Sequence, residues 1–305
     1  MITFVKIRGF LSFPMKHLWT EYIVPILWGM GIFLALVALW AGMKILVLGY
    51  FPVPTSSMRP SIVPGDVVFV NKLRLGPRTF RNLDFLDSDT IPVENIRLPG
   101  YGEIERNDVI VFNYPYADSW SKARFNYKAF YVKRCLGLPG DTLSIVNGFY
   151  KVAGCDLPLG NLRDQKRLSR TPLENLPLSI SRADRPNGWT IKDFGPLYIP
   201  REGDTIVVDE WNYEFYKRLI EWETGGEMTA SQGKYCLDGH PVDRYVVKND
   251  YYFVAGDNLF DSRDSRYWGL LQQEYIVGVV PFVLYSKDRN GGGVRWDRFF
   301  KSLDL

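Results

Sequence analysis

Hydrophobic positions form one long run near the N-terminus of this chain and many short runs after it. From Tyr22 to Met43 there are 22 residues and none is charged. As an α-helix at about 1.5 Å per residue, this run spans about 33 Å, close to the roughly 30 Å hydrocarbon thickness of a bilayer. No second run of this length occurs in the sequence. We therefore predict a single transmembrane anchor within residues 22–48, preceded by an N-terminal segment, residues 1–21.

A cleaved secretory signal peptide is the competing interpretation of this run. The apolar region of such a peptide is about 7 to 15 residues long, and small residues follow it at the cleavage site. The present run is longer, and bulky residues follow it at 44–54, which favours an uncleaved anchor. Basic residues outnumber the one acid, Glu21, before the run. This excess favours a cytoplasmic N-terminus and a large C-terminal part outside the membrane.

Short runs of β-branched and aromatic residues follow the anchor and predict strands. The clearest are Val67–Val70, Val109–Phe112, Phe130–Val132, Tyr251–Val254 and Tyr275–Leu284. Four turns share one pattern, Gly or Asn followed by Asp: Gly65-Asp66, Asn107-Asp108, Gly140-Asp141 and Gly203-Asp204. Gly and Asn allow a positive φ, and the Asp side chain can bond to its own turn before a strand begins. The pattern predicts a meandering antiparallel sheet.

The middle of the chain, residues 155–241, differs in amino-acid composition from the segments on either side of it. It is rich in Pro, Arg and Asp and contains one helix-like segment, Glu210–Glu223. We predict an inserted α/β subdomain here. It would divide a mainly β, antiparallel catalytic domain into a first part, residues 49–154, and a second part, residues 242–305.

Composition narrows the classes of function. The chain has 305 residues, of which 46% are hydrophobic, and this describes a folded protein. A net charge of +3 gives no reason to expect nucleic-acid binding. Cys135, Cys155 and Cys236 form no CxxC pair, and the sequence leaves open whether any two are bonded. His17 precedes the anchor, so His240 alone can lie in the soluble part. A two-histidine metal site there is excluded, and no cofactor is expected.

Two residue types in separate segments suggest chemistry that needs neither histidine nor metal. Ser57 lies in a Pro-rich stretch just after the anchor, although serines in loops are commonly only solvated. Lys133 stands inside an apolar strand pattern, where the solvent-facing orientation is the more common one. If it is desolvated, its lowered pKa lets it accept a proton at neutral pH. A third, highly charged segment, residues 256–269, carries Asp264 and Arg266, which suit a buried ion pair.

Four segments in this order resemble the sequence boxes of the bacterial type I signal peptidases, the membrane-anchored Ser-Lys proteases. The segments are Pro54–Pro60 (P-T-S-S-M-R-P), Arg106–Phe112 with Tyr114-Pro115, Tyr131–Arg134 with Gly137–Asp141, and Gly256–Gly269. The resemblance covers about residues 22–143 and 249–281 and leaves the insertion unexplained. Leu259-Phe260 replaces a charged pair often found in the family, and Gln272 replaces a common proline.

The resemblance implies a role for each matching residue. Ser57 is the expected nucleophile and Lys133 the expected general base. Thr55 is similar to the residue that donates to the oxyanion, and Ser262 to the residue that orients the lysine, with Asp264 and Arg266 as structural support. The walls of the substrate pockets correspond to Phe51, Val53, Ile62, Tyr131 and Val132, although Ile62 and Val132 can also serve the core. Ser56 corresponds to a variable position and receives no role.

The implied function is cleavage of N-terminal signal peptides from exported preproteins, at small-x-small sites and at the outer face of the bacterial cytoplasmic membrane. The implied partners are these signal peptides, membrane lipid and the protein-export machinery. Three alternatives compete with this interpretation. They are a non-catalytic, membrane-tethered β-domain that binds peptides or scaffolds a complex, a soluble self-cleaving Ser-Lys protease, and a histidine-dependent peptidase. The anchor argues against the second, and Lys at position 133 argues against the third.

Overall fold

The computed structural model describes residues 19–43, 48–80, 95–115, 129–176, 188–288 and 291–304. The chain divides between Val47 and Leu48 into two compact units. Most of the predicted N-terminal segment, including His17, lies outside the described residues.

The first unit contains the predicted anchor. A π-helical turn, Trp19–Ile23, leads into helix α1, Val24–Gly42. Mean hydropathy reaches 2.3 over 18 residues within Glu21–Gly42, and none of these 18 residues is buried against protein. Length and composition therefore fit a membrane span. Leu48, placed by prediction at the end of the anchor, instead begins the first strand.

The second unit is built mainly from antiparallel strands. In the described part of the chain they are β1 (Leu48–Pro52), β2 (Asp66–Asn71), β3 (Arg78–Phe80), β4 (Asn95–Arg97), β5 (Val109–Asn113), β6 (Phe130–Gly137), β7 (Thr142–Val146), β8 (Phe149–Val152), β9 (Phe194–Tyr198), β10 (Thr205–Val207), β11 (Met228–Ser231), β12 (Lys234–Leu237), β13 (His240–Pro241), β14 (Arg244–Val246), β15 (Tyr251–Ala255), β16 (Leu271–Gln272), β17 (Ile276–Val279), β18 (Phe282–Ser286) and β19 (Lys301–Ser302). Its helices are α2 (Leu162–Arg170), α3 (Glu210–Thr224) and α4 (Ser265–Trp268). These bounds confirm four of the five predicted strands and the predicted helix.

One large sheet carries the candidate site. Among the described residues it has nine strands in the order β16-β15-β6-β5-β17-β2-β18-β19, with β1 paired to β2. The predicted run Tyr275–Leu284 forms two strands, β17 and β18, interrupted at Val280-Pro281, because proline has no N–H for the ladder. Strand β6 lies between β5 and β15, so segments far apart in sequence meet beside it.

The four predicted turns share one hydrogen-bond geometry. Each Asp side chain accepts from the backbone N–H three residues earlier, at 2.7–2.8 Å: Asp66 from Val63, Asp108 from Glu105, Asp141 from Leu138 and Asp204 from Arg201. The residue before each Asp has positive φ, for example 97° at Gly65 and 73° at Asn107. This confirms the physical basis of the repeated pattern.

The predicted insertion shares a hydrophobic core with the rest of the second unit. Strand β7 pairs with β9, and a buried cluster joins Leu143 and Phe253 to Leu168 and Tyr216 of the insertion. Helix α3 begins after the capping residue Asp209 and ends at Thr224, with Gly225 as its C-cap at φ 70°. The domain boundary at 154/155 stays a prediction. All three cysteines are free thiols.

Candidate active site

The loop between β1 and β2 presents Ser57. Backbone hydrogen bonds from Val53 to Asp66 and from Gly65 to Val53 close the base of this loop. Met58 and Ile62 are fully buried beneath it. Because its base is paired and its apolar side chains are buried, the loop holds Ser57 in a fixed place, with only 8% of the residue exposed.

Lys133 reaches the same point from strand β6. Its Nζ donates to Ser57 Oγ at 2.7 Å and to the Val132 carbonyl oxygen at 3.0 Å. The residue is 3% exposed, so the strand presents it to the interior and not to solvent. The structure thus brings together two residues 76 positions apart in sequence.

Burial sets the protonation state of Lys133. Removal from water disfavours the ammonium and lowers the pKa of Lys133 from 10.5 to about 8, although the Asp264 carboxylate opposes this by favouring the charged form. A substantial fraction of the amine is therefore neutral near pH 8. A neutral amine within hydrogen-bond distance of a serine hydroxyl can act as its general base.

The loop from Gly256 to Asp264 joins β15 to α4 and forms the other side of the site; we call it the β15–α4 loop. Asp264 is fully buried and bonds Arg266 through both carboxylate oxygens, at 2.8 Å each. It also accepts from the Gly256 N–H at 2.9 Å and from Ser262 Oγ at 2.7 Å. Burial raises the pKa of Asp264, but the Arg266 guanidinium and these donors outweigh it and hold the pKa below its usual value.

Ser262 therefore lies in the site with its hydroxyl proton directed to Asp264. Among the described residues, its Oγ has no hydrogen bond to Lys133 Nζ. The lone pairs of Ser262 Oγ can still accept from an amine, and the lysine-orienting role stays a prediction.

Gly256 and Asn258 connect the β15–α4 loop to the serine loop, and sequence reasoning gave neither a role. The Asn258 N–H donates to the Ser57 carbonyl at 3.0 Å, and Asn258 Nδ2 donates to the Ser56 carbonyl at 3.2 Å. A Cβ on Gly256 would lie 2.3 Å from Ser262 Oγ and 2.5 Å from the Ser57 carbonyl oxygen. Only glycine permits this approach without displacement.

Two further buried ion pairs were missed. Arg134, beside the candidate base, forms a bidentate pair with Asp257 at 2.8 Å for both bonds. Asp66, which starts β2, pairs with Arg298 near the C-terminus, with Nε at 2.8 Å and Nη2 at 2.5 Å. An arginine inside an apolar strand was a usable signal for the first pair, but nothing in the sequence identified either partner.

A cleft of about 1010 Å³ opens over Ser57 and Lys133. Its lining includes four of the five predicted wall residues: Phe51, Val53, Tyr131 and Val132. The fifth, Ile62, is not among the lining residues and is fully buried against the core with Met58. Core packing is thus the role that the structure shows for Ile62.

The region around the nucleophile offers donors to a substrate oxygen. Thr55 lines the cleft and is exposed. Among the described residues, neither its hydroxyl nor the Ser57 N–H donates to another protein group. Ser56, to which no role was given, donates from Oγ to the Asp261 carboxylate and so links the two loops.

Comparison with known proteins identifies the family of this chain. A family model described as signal peptidase, peptidase S26, matches residues 26–285. The chain belongs to this signal peptidase family. A signal peptidase I of Helicobacter pylori strain J99 is 25% identical over 294 residues, covering 87% of this chain and 91% of the relative. That of Pseudomonas aeruginosa is 27% identical over 246 residues, covering 76% of this chain and 59% of the relative.

A crystal structure of a signal peptidase I from Enterococcus faecalis is also similar. It is 21% identical and covers 58% of this chain and 96% of its own, with a TM-score of 0.28. The family match therefore rests on the sequence comparisons.

Proposed function

We propose that this member of the signal peptidase family is a signal peptidase I, a serine endopeptidase that removes N-terminal signal peptides with a Ser57–Lys133 dyad. The observation that carries the proposal is the 2.7 Å contact between Ser57 Oγ and the buried Lys133 Nζ, at the floor of a peptide-sized cleft. Family membership and the relatives named signal peptidase I support it.

Acylation begins with proton transfer. Neutral Lys133 accepts the proton of Ser57 as Oγ attacks the scissile carbonyl carbon, and the carbonyl π electrons move to oxygen. The Ser57 N–H and the Thr55 hydroxyl donate to this oxyanion. The C–N bond then breaks, and the Lys133 ammonium gives its proton to the leaving amine. The signal peptide remains as an ester on Ser57.

Deacylation repeats these steps with water. Lys133 takes a proton from a water molecule that attacks the ester carbonyl, and Ser57 Oγ leaves with that proton. The products are the free signal peptide and the mature chain. Every step uses groups of this chain and one water molecule.

The cleft suits an extended polypeptide. Phe51 of β1 and Phe130 of β6 contact each other with ring centroids 4.7 Å apart, at the part of the cleft that β1 and β6 line. We propose that the substrate adds here as a strand, with small residues at the two positions that enter pockets walled by Val53, Tyr131 and Val132. This accounts for a small-x-small site.

Helix α1 fits a membrane anchor. We propose that the N-terminus is cytoplasmic and the second unit faces the outer side, where signal peptides leave the lipid and the export machinery. Cleavage of a preprotein in lipid vesicles, followed by N-terminal sequencing of the product, tests the function. If the protein were a non-catalytic peptide-binding domain, the preprotein would remain uncleaved.

The pH dependence of cleavage follows from the Lys133 pKa of about 8. Below this pH the amine is protonated, so kcat is expected to fall about tenfold per pH unit; above it kcat reaches a plateau. Initial rates from pH 6 to pH 10 measure the profile. A rise only near 10.5, the ordinary lysine value, would show that Lys133 is not desolvated in solution.

Chelation is expected to leave the rate unchanged, because the proposed steps need no metal. Cleavage is measured before and after dialysis against a strong chelator, with re-addition of Mg²⁺ and Zn²⁺ as the control. A loss that a metal ion restores would contradict the dyad as the complete catalytic apparatus.

A further inference from the structure

Helix α2, in the predicted insertion, contacts the outer side of the β15–α4 loop. Asn161, which caps α2, donates from Nδ2 to the Asp257 carbonyl at 3.0 Å. Asp164 Oδ2 accepts from the Leu259 N–H at 3.1 Å. The Arg167 guanidinium lies 4.2 Å from the centre of the Phe260 ring. Three residues of one helix face thus contact three nearby residues of the loop.

Other residues of the same loop bond the backbone and side chain of the serine loop. Asn258 bonds the Ser56 and Ser57 carbonyls, and Asp261 bonds the Ser56 hydroxyl. Because the Ser56 carbonyl and the Ser57 N–H belong to one trans peptide unit, a donor on the carbonyl also orients the N–H. The loop therefore orients the candidate oxyanion donor, and α2 contacts the loop.

Helix α2 is itself rigidly held. Gln165 is 1% exposed; it accepts from the Tyr150 N–H at 3.0 Å and donates to the Leu159 carbonyl at 2.5 Å. Leu168 is fully buried in the core cluster that also contains Leu259. A helix bonded on one side to β8 and packed against the core can act as a fixed support.

We propose that α2 is a positioning element of the active site, in which Asp164 and Arg167 hold the middle of the β15–α4 loop against the serine loop. This gives the insertion a part in catalysis. The inference rests on the proposed function and extends it to residues outside the family's sequence boxes. Asp164 and Arg167 act through the loop and touch no reacting atom.

Loss of the Asp164 contact should loosen the loop without removing a catalytic group. For Asp164→Ala we expect kcat to fall roughly tenfold with little change in KM, since misplaced catalytic groups slow the chemical step. Arg167→Ala should give a smaller loss of the same kind. Asp164→Asn keeps an oxygen that can accept from the Leu259 N–H and should restore most of kcat.

The pH profile separates positioning from simple stability. Lys133 faces the charges of Asp257, Asp261, Asp264 and Arg266, and Arg59 and Arg263 line the cleft. Burial is the largest cause of the lowered pKa of Lys133. A loosened loop that admits water should therefore raise this pKa and move the rise of kcat to higher pH in Asp164→Ala. A change that only unfolds part of the sample would lower the rate at every pH alike.

Two matched controls exist in the insertion. Asp193→Ala removes a similar carboxylate acceptor. Asp193 Oδ1 accepts from the Asn147 N–H at 2.9 Å, and neither residue belongs to the β15–α4 loop. Lys166→Ala removes an exposed neighbouring cation of α2 that, among the described residues, makes no hydrogen bond, ion pair or ring contact with the loop. Both should keep the wild-type kcat and pH profile.

The experiment is steady-state cleavage of one preprotein by the full chain and these variants, with thermal unfolding recorded for each. Wild-type kcat and pH profile in Asp164→Ala, with Ser57→Ala inactive, would overturn the positioning role and leave the proposed function intact. Activity retained in Ser57→Ala would overturn the proposed function itself. If Asp164→Ala does not fold, the kcat of Arg167→Ala is compared with that of Lys166→Ala. Equal kcat values in these two variants would overturn the positioning role of α2.

Discussion

Ser57→Ala is expected to reduce cleavage of a small-x-small preprotein by a factor on the order of 10⁴ or more, because the acyl-enzyme can no longer form. Lys133→Met should cause a loss of at least about 10²-fold. Methionine fills a similar volume in the buried site but cannot take the serine proton, and general-base catalysis alone is worth about 10² to 10⁴. The rate of product formation by each purified variant is the measurement.

Serine and lysine residues elsewhere on strands provide the controls. Ser231 on β11 and Lys151 on β8 are exposed and lie outside the cleft lining. Ser231→Ala and Lys151→Ala should cleave at the wild-type rate. Circular dichroism of all four variants establishes that they fold. A folded Ser57→Ala or Lys133→Met with more than a few per cent of wild-type activity would refute the dyad.

The second large effect concerns stability. Asp264→Ala is expected to lower the free energy of unfolding of the second unit by about 3–5 kcal/mol, because it leaves the buried Arg266 charge without its carboxylate. It also removes the acceptor of the Gly256 N–H and the Ser262 hydroxyl. Urea unfolding followed by tryptophan fluorescence measures the change.

An exposed ion pair is the matched control. Lys217 and Glu221 lie four residues apart on α3 at 3.7 Å, and the Lys217 side chain is 37% exposed. Lys217→Ala should change the free energy of unfolding by less than about 1 kcal/mol. If Asp264→Ala costs no more than this control, the pair is not the support of the β15–α4 loop that the geometry indicates.

Local sequence patterns predicted the anchor and the central strands of the large sheet, but they did not identify most of the shorter strands. The uncharged run identified α1, and β-branched and aromatic runs identified β2, β5, β6 and β15. The Asp turns were predictable because the residue with positive φ and the accepting carboxylate are neighbours in sequence. The exception was residues 275–284, where Pro281 divides the run into two strands.

Local sequence patterns could not predict contacts between segments that are far apart in the sequence. The Ser57–Lys133 contact joins residues 76 positions apart, and the Arg134–Asp257 pair joins residues 123 apart. Neither separation carries geometric information. Resemblance to a family supplied the first pair. The second, and the contacts of α2 with the β15–α4 loop, depend on the sheet order that places β15 beside β6.

Trapping of the acyl-enzyme would identify Ser57 as the nucleophile. The full chain in lipid vesicles is mixed with a preprotein, quenched in acid within the first turnover, digested and mapped by mass spectrometry. We expect the mass of the signal peptide's C-terminal fragment on the peptide that contains Ser57, and no such adduct in Ser57→Ala. An adduct on another residue, or full cleavage with no adduct at any quench time, would contradict this role of Ser57.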